Sequence, residues 1–431
     1  MKSLLTLLRG NRNYRNMWTG QLVSEIGDQF NNIAVFSLAV AATHSGMVIT
    51  LIFLSRAIPA MLAGPLAGVI LDRLNRKYVM IASDLIRGVV AAGFISQANH
   101  PDAHALYLLS ALLMLASPFF TAGRAAILPS IATKEELHIA NSLTQSTQWS
   151  TQLVGAMLAG VSAAVVGYKW AFGFNSFSFF FSALCISRLA LAGRGFRPPQ
   201  RPLTEAHVVR PWHEYAEGLR YIKSVPLILG LLIINIGWAS GGGAAQILFT
   251  VFSEMVFKKG PAGLGIIYGC ASVGLLSGGA IAHTIGRKLS FRDYKRTIAF
   301  VYVIHGGAYV LFSLSPKFGI ALFFIALSRA AVGVSSVLNW GQLLRIVPNE
   351  FRGRVFSTSE SVTWSVMMLS MLAAGAASQS VDPRLIGAVA GIFSSTTAIF
   401  WGWANLTGRL PEPVRQGVEP EEVEVHEEPR S

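Results

Sequence analysis

Gly68-Val69-Ile70-Leu71-Asp72-Arg73-Leu74-Asn75-Arg76-Lys77 and Gly279-Ala280-Ile281-Ala282-His283-Thr284-Ile285-Gly286-Arg287-Lys288 share one pattern, G-x-x-x-[D/H]-x-x-[N/G]-R-K, at an offset of 211 residues. A spaced pattern that returns after half the chain points to two copies of one structural unit. The same offset carries the start of the first long apolar run near the start of the seventh. A weaker echo links Glu136-Leu137 with Glu350-Phe351.

Composition says what fills each copy. Of 431 residues, 52% are hydrophobic and 13% charged, with 41 Gly and a mean hydropathy of +0.49. An average soluble domain carries roughly 25% charged residues, so an ordinary soluble enzyme, a disordered chain and a coiled coil are excluded. Apolar runs of about 20 residues mark twelve candidate spans at 15–42, 48–71, 78–97, 103–123, 140–166, 171–192, 226–252, 262–286, 296–315, 318–343, 355–379 and 385–407. The predicted fold is therefore an all-α integral membrane protein with twelve transmembrane helices in two six-helix bundles around a central cavity. Residues 1–192 form the N-terminal bundle, 193–225 a cytoplasmic connection, 226–407 the C-terminal bundle and 408–431 a disordered acidic tail. Parallel repeats about an axis along the membrane normal are a transporter architecture. The first residues, Met1 to Asn16, read as an amphipathic lead-in on the membrane surface rather than a signal peptide.

The net charge of +13 does not point to nucleic acid. Seven of the 22 acids lie between Glu412 and Glu428, and alternate loops divide the cations unequally. On one side fall 27 of the 35 Lys and Arg, including Arg124 and Lys134; five fall on the other, and Arg56, Arg87 and Arg329 lie inside spans. This is the positive-inside bias, with both termini cytoplasmic. Cys185 and Cys270 sit far apart in apolar runs and suggest no disulfide framework.

Gly68–Lys77 resembles the signature loop of the major facilitator superfamily, with Asn75 where a Gly is usual. Ser24–Asp28, Leu128-Pro129 with Glu136-Leu137 and Ala140-Asn141, Glu217–Ile222, and Pro348–Phe356 resemble the multidrug-efflux branch that holds macrolide and enterobactin exporters. The resemblance implies alternating access, with Gly68, Asp72, Arg73, Arg76 and Lys77, and by repetition His283 and Arg287, acting as gating loops. It implies that Asp72 accepts hydrogen bonds from the first-turn amides of span 11 near Val355, where a helix dipole favours an acid. Span 5 departs from antiporter relatives, having Gly155-Ala156 in place of Gly-Pro.

Span 1 places Gln21, Glu25, Asp28 and Asn32 at i, i+4, i+7 and i+11, within about 60° of one another on a helix. A charge near the bilayer centre costs at least roughly 2.5–3.5 kcal/mol, so this stripe faces protein or water. Two acids one turn apart suit reversible proton binding, with Arg56, deep in span 2, as their candidate counter-ion. Span 5 repeats the spacing with Asn141, Gln145, Gln148 and Gln152, beside Trp149, a wall that can hydrogen-bond and stack on varied solutes. Asn235, Trp238 and Gln246 in span 7, Arg329 in span 10, and Glu360 and Trp364 in span 11 complete the candidate substrate cavity, with Glu360 near its cytoplasmic mouth. Asp84 and Arg87 are expected to satisfy one another. Gly64/Gly68, Gly265/Gly269 and Gly274/Gly278 are small-xxx-small pairs suited to close helix contact.

No P-loop, HExxH, GxSxG or clustered His/Cys pattern is present, so neither catalysis, a cofactor nor a metal is expected. The predicted activity is proton-coupled export of amphiphilic small molecules by a monomer. The alternatives are a lysolipid or lipid flippase of the same fold and a non-transporting scaffold or sensor.

Overall fold

The computed structural model describes residues 2–190, 196, 211–286 and 288–412. Arg287, most of the connecting segment and the acidic tail lie outside the described residues, as does the side chain of Trp149.

Among the described residues the chain is helical throughout. The helices are α1 (Lys2–Gly10), α2 (Arg12–Thr43), α3 (Gly46–Leu71), α4 (Arg76–Gln97), α5 (Ala103–Ile131), α6 (Lys134–Ser150), α7 (Ala156–Val165), α8 (Tyr168–Ser187), α9 (Pro211–Ser224) and α10 (Pro226–Val251). They continue with α11 (Gly260–Gly286), α12 (Phe291–Leu314), α13 (Phe318–Ile346), α14 (Asn349–Ala377) and α15 (Pro383–Leu406). A π-helical turn, Thr151–Gly155, joins α6 to α7, and a second, Phe252–Val256, prolongs α10.

Capping residues set several boundaries. Asn75 adopts an extended conformation, φ −66° and ψ 113°, and its side chain accepts from Lys77 N. The residue that departs from the signature pattern thus starts α4 as an N-cap. Thr133 and Glu136 form a reciprocal capping box at α6, and Asn11 Nδ2 reaches Glu136 Oε2 at 3.1 Å. The lead-in helix α1 does not lie free, because Leu7 is buried in the cluster that also holds Tyr14 and Ile131.

Among the described residues nine helices are long and apolar enough to cross a membrane. The expected spans outside that group are α2, the broken α6–α7 pair and α14, which carry the polar stripes of spans 1, 5 and 11. A helix whose one face meets water or polar side chains need not be apolar all round.

Helices α2–α8 pack chiefly among themselves, as do α10–α15. Between the two groups α7 meets α11 and α3 meets α14. The apolar packing is unequal at the two ends. At the end away from the termini one cluster joins both groups, including Val40, Ile49, Ala156, Phe252, Leu264 and Met371. At the termini end there are two separate clusters, one around Tyr14, Met80 and Ile127 and the other around Tyr294, Leu338 and Trp401.

Of the small-residue pairs, Gly265 approaches Gly160 across the groups, while Gly274 and Gly278 lie against the α13 backbone at Ala326 and Ala330. Gly64 and Gly68 have no such neighbour, so the expected contact at that pair is corrected.

Candidate functional site

The stripe on α2 is a chain of bonded polar groups. Gln21 is buried and its Nε2 donates to Glu25 Oε1 at 2.7 Å. Arg124 Nη1 lies 3.4 Å from the same oxygen, with side-chain exposures of 16% for Arg124 and 18% for Glu25. Thr151 Oγ1 donates to Glu25 Oε2 at 3.2 Å. Glu25 is therefore held by α2, α5 and the π-turn of span 5 together. Asp28, a turn further along the stripe, is half-buried and makes no ion pair among the described residues.

Two expectations are corrected here. Hydropathy puts Arg124 in a loop, but α5 runs on to Ile131, which brings the guanidinium to Glu25. Arg56 is not the ion-pair partner of Glu25 or Asp28: its Nη1 donates to Asn32 Oδ1 at 2.6 Å, and its guanidinium carbon lies 5.1 Å from the Phe36 ring centroid.

One cavity of about 160 Å³ lies between the two helix groups, lined by Gln29, Asn32, Ile33, Phe36, Phe53, Arg56, Gln152, Gln246 and Tyr268. Asn32, Arg56, Gln152 and Gln246 among the sequence candidates meet there. Gln148 is half-buried, whereas Asn141 and Gln145 are exposed and do not line this cavity. Asn235 and Trp238 are half-buried on α10, and Trp238 Nε1 is buried without a hydrogen bond.

Arg329 lines a smaller recess with His305, Tyr309 and Ser394, and its guanidinium carbon lies 5.3 Å from the Phe249 ring centroid. His305 Nδ1 lies 2.7 Å from Ser328 Oγ. Glu360 and Trp364 are exposed on α14. Because α14 begins at Asn349 rather than near Val355, Glu360 sits roughly 17 Å along the helix at 1.5 Å per residue, deeper than expected.

Among the described residues the Asp72 loop does not meet span 11. Asp72, Arg73 and His283 are exposed, and no hydrogen bond joins the Asp72 side chain to α14 among the described residues, which corrects that expectation. Arg76 Nη1 donates to Ala126 O at 2.9 Å and Lys77 Nζ to Leu189 O at 2.7 Å, tying the loop into its own helix group. Asp84 and Arg87 pair as expected, with Arg87 between the Phe120 and Phe179 rings.

Glu254 is not among the residues that the sequence singles out. It stands in the π-turn after α10 and accepts a hydrogen bond from Ser37 on α2, whose hydroxyl also lies 3.3 Å from Tyr168 Oη. This polar tie between the groups sits at the end away from the termini, next to Phe36 and Leu38 of the shared apolar cluster. A lone Glu at the edge of an apolar run offers no spacing by which to find it. Tyr268 escapes for a similar reason, as one aromatic residue within a glycine-rich span.

Comparison with known proteins agrees with this geometry. The chain is 26% identical to a putative bacilysin exporter, BacE, of Bacillus subtilis over 90% of its own length and 94% of the relative's. It is 25% identical to the enterobactin exporter EntS of Salmonella choleraesuis (strain SC-B67), covering 85% of this chain and 86% of that one. In fold it matches a bacterial homologue of the iron transporter ferroportin in an inward-facing state, with a TM-score of 0.67 at 18% identity over 90% of this chain and 98% of the other. The nucleoside transporter NupG gives 0.63 at 11% identity over 91% and 99%. The family model described as Major Facilitator Superfamily matches residues 17–371, and the chain belongs to that superfamily of multi-pass membrane transporters.

Proposed function

We propose that the protein exports amphiphilic small molecules by alternating access of two six-helix bundles, driven by protons that bind at Glu25 and Asp28. The observation that carries this reading is the unequal packing of the two ends. One shared apolar cluster at one end and two separate clusters at the other suit a pair of bundles closed on one side and parted on the other. With cytoplasmic termini, the state is open inward and ready to load.

The polar helices α2, α6–α7 and α14 complete twelve spans, because each needs only one face compatible with lipid. Glu25 exchanges its partners Arg124 and Thr151 as it gains or loses a proton, and Asp28 takes part from the same stripe. Asp72 and His283, apart from α14 here, engage when the termini side closes. The relatives named as a putative bacilysin exporter and an enterobactin exporter support an outward direction.

The test is efflux of a panel of amphiphilic dyes from cells, with and without a protonophore. The expected result is protonophore-sensitive efflux that Asp28→Asn abolishes while the protein still reaches the membrane. Efflux by that variant at the wild-type rate removes the coupling assignment.

A further inference from the structure

Arg56 carries a positive charge into the interior of α3, where the residue is only 8% exposed. A guanidinium in that position is stable only with acceptors around it. One of its nitrogens, Nη1, has an acceptor, the neutral Asn32. The other two, Nε and Nη2, are buried and make no hydrogen bond. These two form the edge of an arginine that presents parallel N–H donors and takes a carboxylate in a bidentate grip.

Among the described residues no acid fills that edge. Glu25 is engaged by Arg124 and Thr151, and Glu254 by Ser37. Asp28 makes no ion pair with Arg56 among the described residues. The cavity that Arg56 borders is lined otherwise by uncharged groups, including three glutamines and the Tyr268 phenol. Arg329, in the smaller recess, has no carboxylate within ion-pair reach among the described residues. Phe249, under Arg329, packs edge-on to Tyr268 with 5.4 Å between ring centroids. Arg56 thus shares the cavity with the Tyr268 phenol, and Arg329 stands behind Phe249 in the smaller recess.

We propose that this cavity is a receptor for organic anions: the carboxylate or similar head group of a partly aromatic solute binds the free Nε/Nη2 edge of Arg56 beside Tyr268, and Arg329, behind Phe249, adds its positive charge to the site. The edge is covered in this state, so binding includes a side-chain rotation of Arg56 into the cavity. Phe36 and Phe53, stacked at 4.9 Å, supply the apolar wall for the rest of the molecule. This deepens the transport reading by naming a cargo class, while binding itself needs no gradient.

The test uses the purified full chain in phosphatidylcholine nanodiscs, with dansyl-phenylalanine and its uncharged amide as probes and energy transfer from tryptophan as the signal. A charge-assisted pair contributes about 1.5–3 kcal/mol, so the acid is expected to bind roughly tenfold to a hundredfold tighter than the amide. Arg56→Gln and Arg329→Gln should each remove most of that preference while amide binding persists, and Arg56→Lys should recover part of it. Should Arg56→Gln lose amide binding as well, Arg329→Gln decides alone. Adding phosphatidylglycerol distinguishes the source of the anion. Displacement of the acid probe from the wild type assigns the site to a lipid head group, and its retention assigns the site to a soluble anion; either outcome supports the receptor. Equal binding of acid and amide by the wild type, no binding of either, or an undiminished acid preference in Arg329→Gln overturns it. Gradient-driven efflux of a neutral dye alongside such a result leaves the transport reading intact, whereas anion binding without any driven flux removes only the latter.

Discussion

Gly160 of α7 and Gly265 of α11 pack backbone to backbone across the two helix groups: a Cβ on Gly160 would fall 2.8 Å from Gly265 Cα and 2.6 Å from Pro261 O. Backbone cannot swing aside as a long side chain can, so only glycine fits this approach. Gly160→Leu should therefore cost about 1–3 kcal/mol through overpacking, and the cost falls on the state in which this end is closed. The expected outcome is faster labelling of Gln246→Cys by an impermeant maleimide from the outer side. Unchanged labelling would show that the contact does not hold the end shut.

Glu25 and Arg124 join α2 to α5. Arg124→Ala removes the cation from a half-buried carboxylate, and Glu25→Gln removes the charge the cation answers. A double-mutant cycle on thermal unfolding should give a coupling of about 0.5–3 kcal/mol between them. Additive effects would mean that the pair contributes nothing in the folded protein.

Asp84 and Arg87 are of another kind, with side-chain exposures of 0% and 5% inside one bundle and away from the cavity. Removing one partner leaves a buried charge unanswered, so Asp84→Asn should lower stability by about 3–5 kcal/mol. Transport per folded molecule should stay near the wild-type value. A variant that folds normally but no longer transports would place Asp84 in the mechanism.

Glu254→Ala removes the carboxylate that accepts from the Ser37 hydroxyl and leaves that hydroxyl only the Tyr168 hydroxyl at 3.3 Å. The expected penalty is about 1.5–3 kcal/mol, that of a hydrogen bond to a charged group, and Glu254→Gln should recover much of it by keeping an acceptor. Equal behaviour of the two variants in thermal unfolding would argue against a specific tie to Ser37.

Much of the fold is legible in residue order because the bilayer demands long apolar helices and the repeat gives their grouping. The expected spans meet observed helices from α2 to α15, with ends shifted where apolarity is a poor guide. Span 4 stops at 123 by hydropathy, yet α5 continues through Arg124, since this cation is answered by a carboxylate on another helix. The cavity is partly legible: the i, i+4, i+7, i+11 spacing finds Asn32 and Gln152, which the structure brings to one wall. Spacing along a helix says nothing about partners on other helices, which is why the ties of Glu25 to Arg124 and of Glu254 to Ser37 are not visible in it. Two quoted motifs prove to meet each other. Tyr221 stacks on Phe351 at 4.6 Å, Arg354 Nη1 lies 2.9 Å from Glu217 Oε2, and a Cβ on Gly218 would come within 2.8 Å of Arg354 O. This contact seats α9 on the start of α14.

The most direct measurement is a pair of spin-label distances read in one protein, after serine replaces Cys185 and Cys270. Labels at Thr133 and Lys288 report the termini end, and labels at His104 and Lys317 the far end; all four positions are exposed. Rocking bundles predict that, on protonation or loading, the first distance shortens while the second lengthens. Two distances that change together, or that stay fixed while dye is exported, would contradict alternating access.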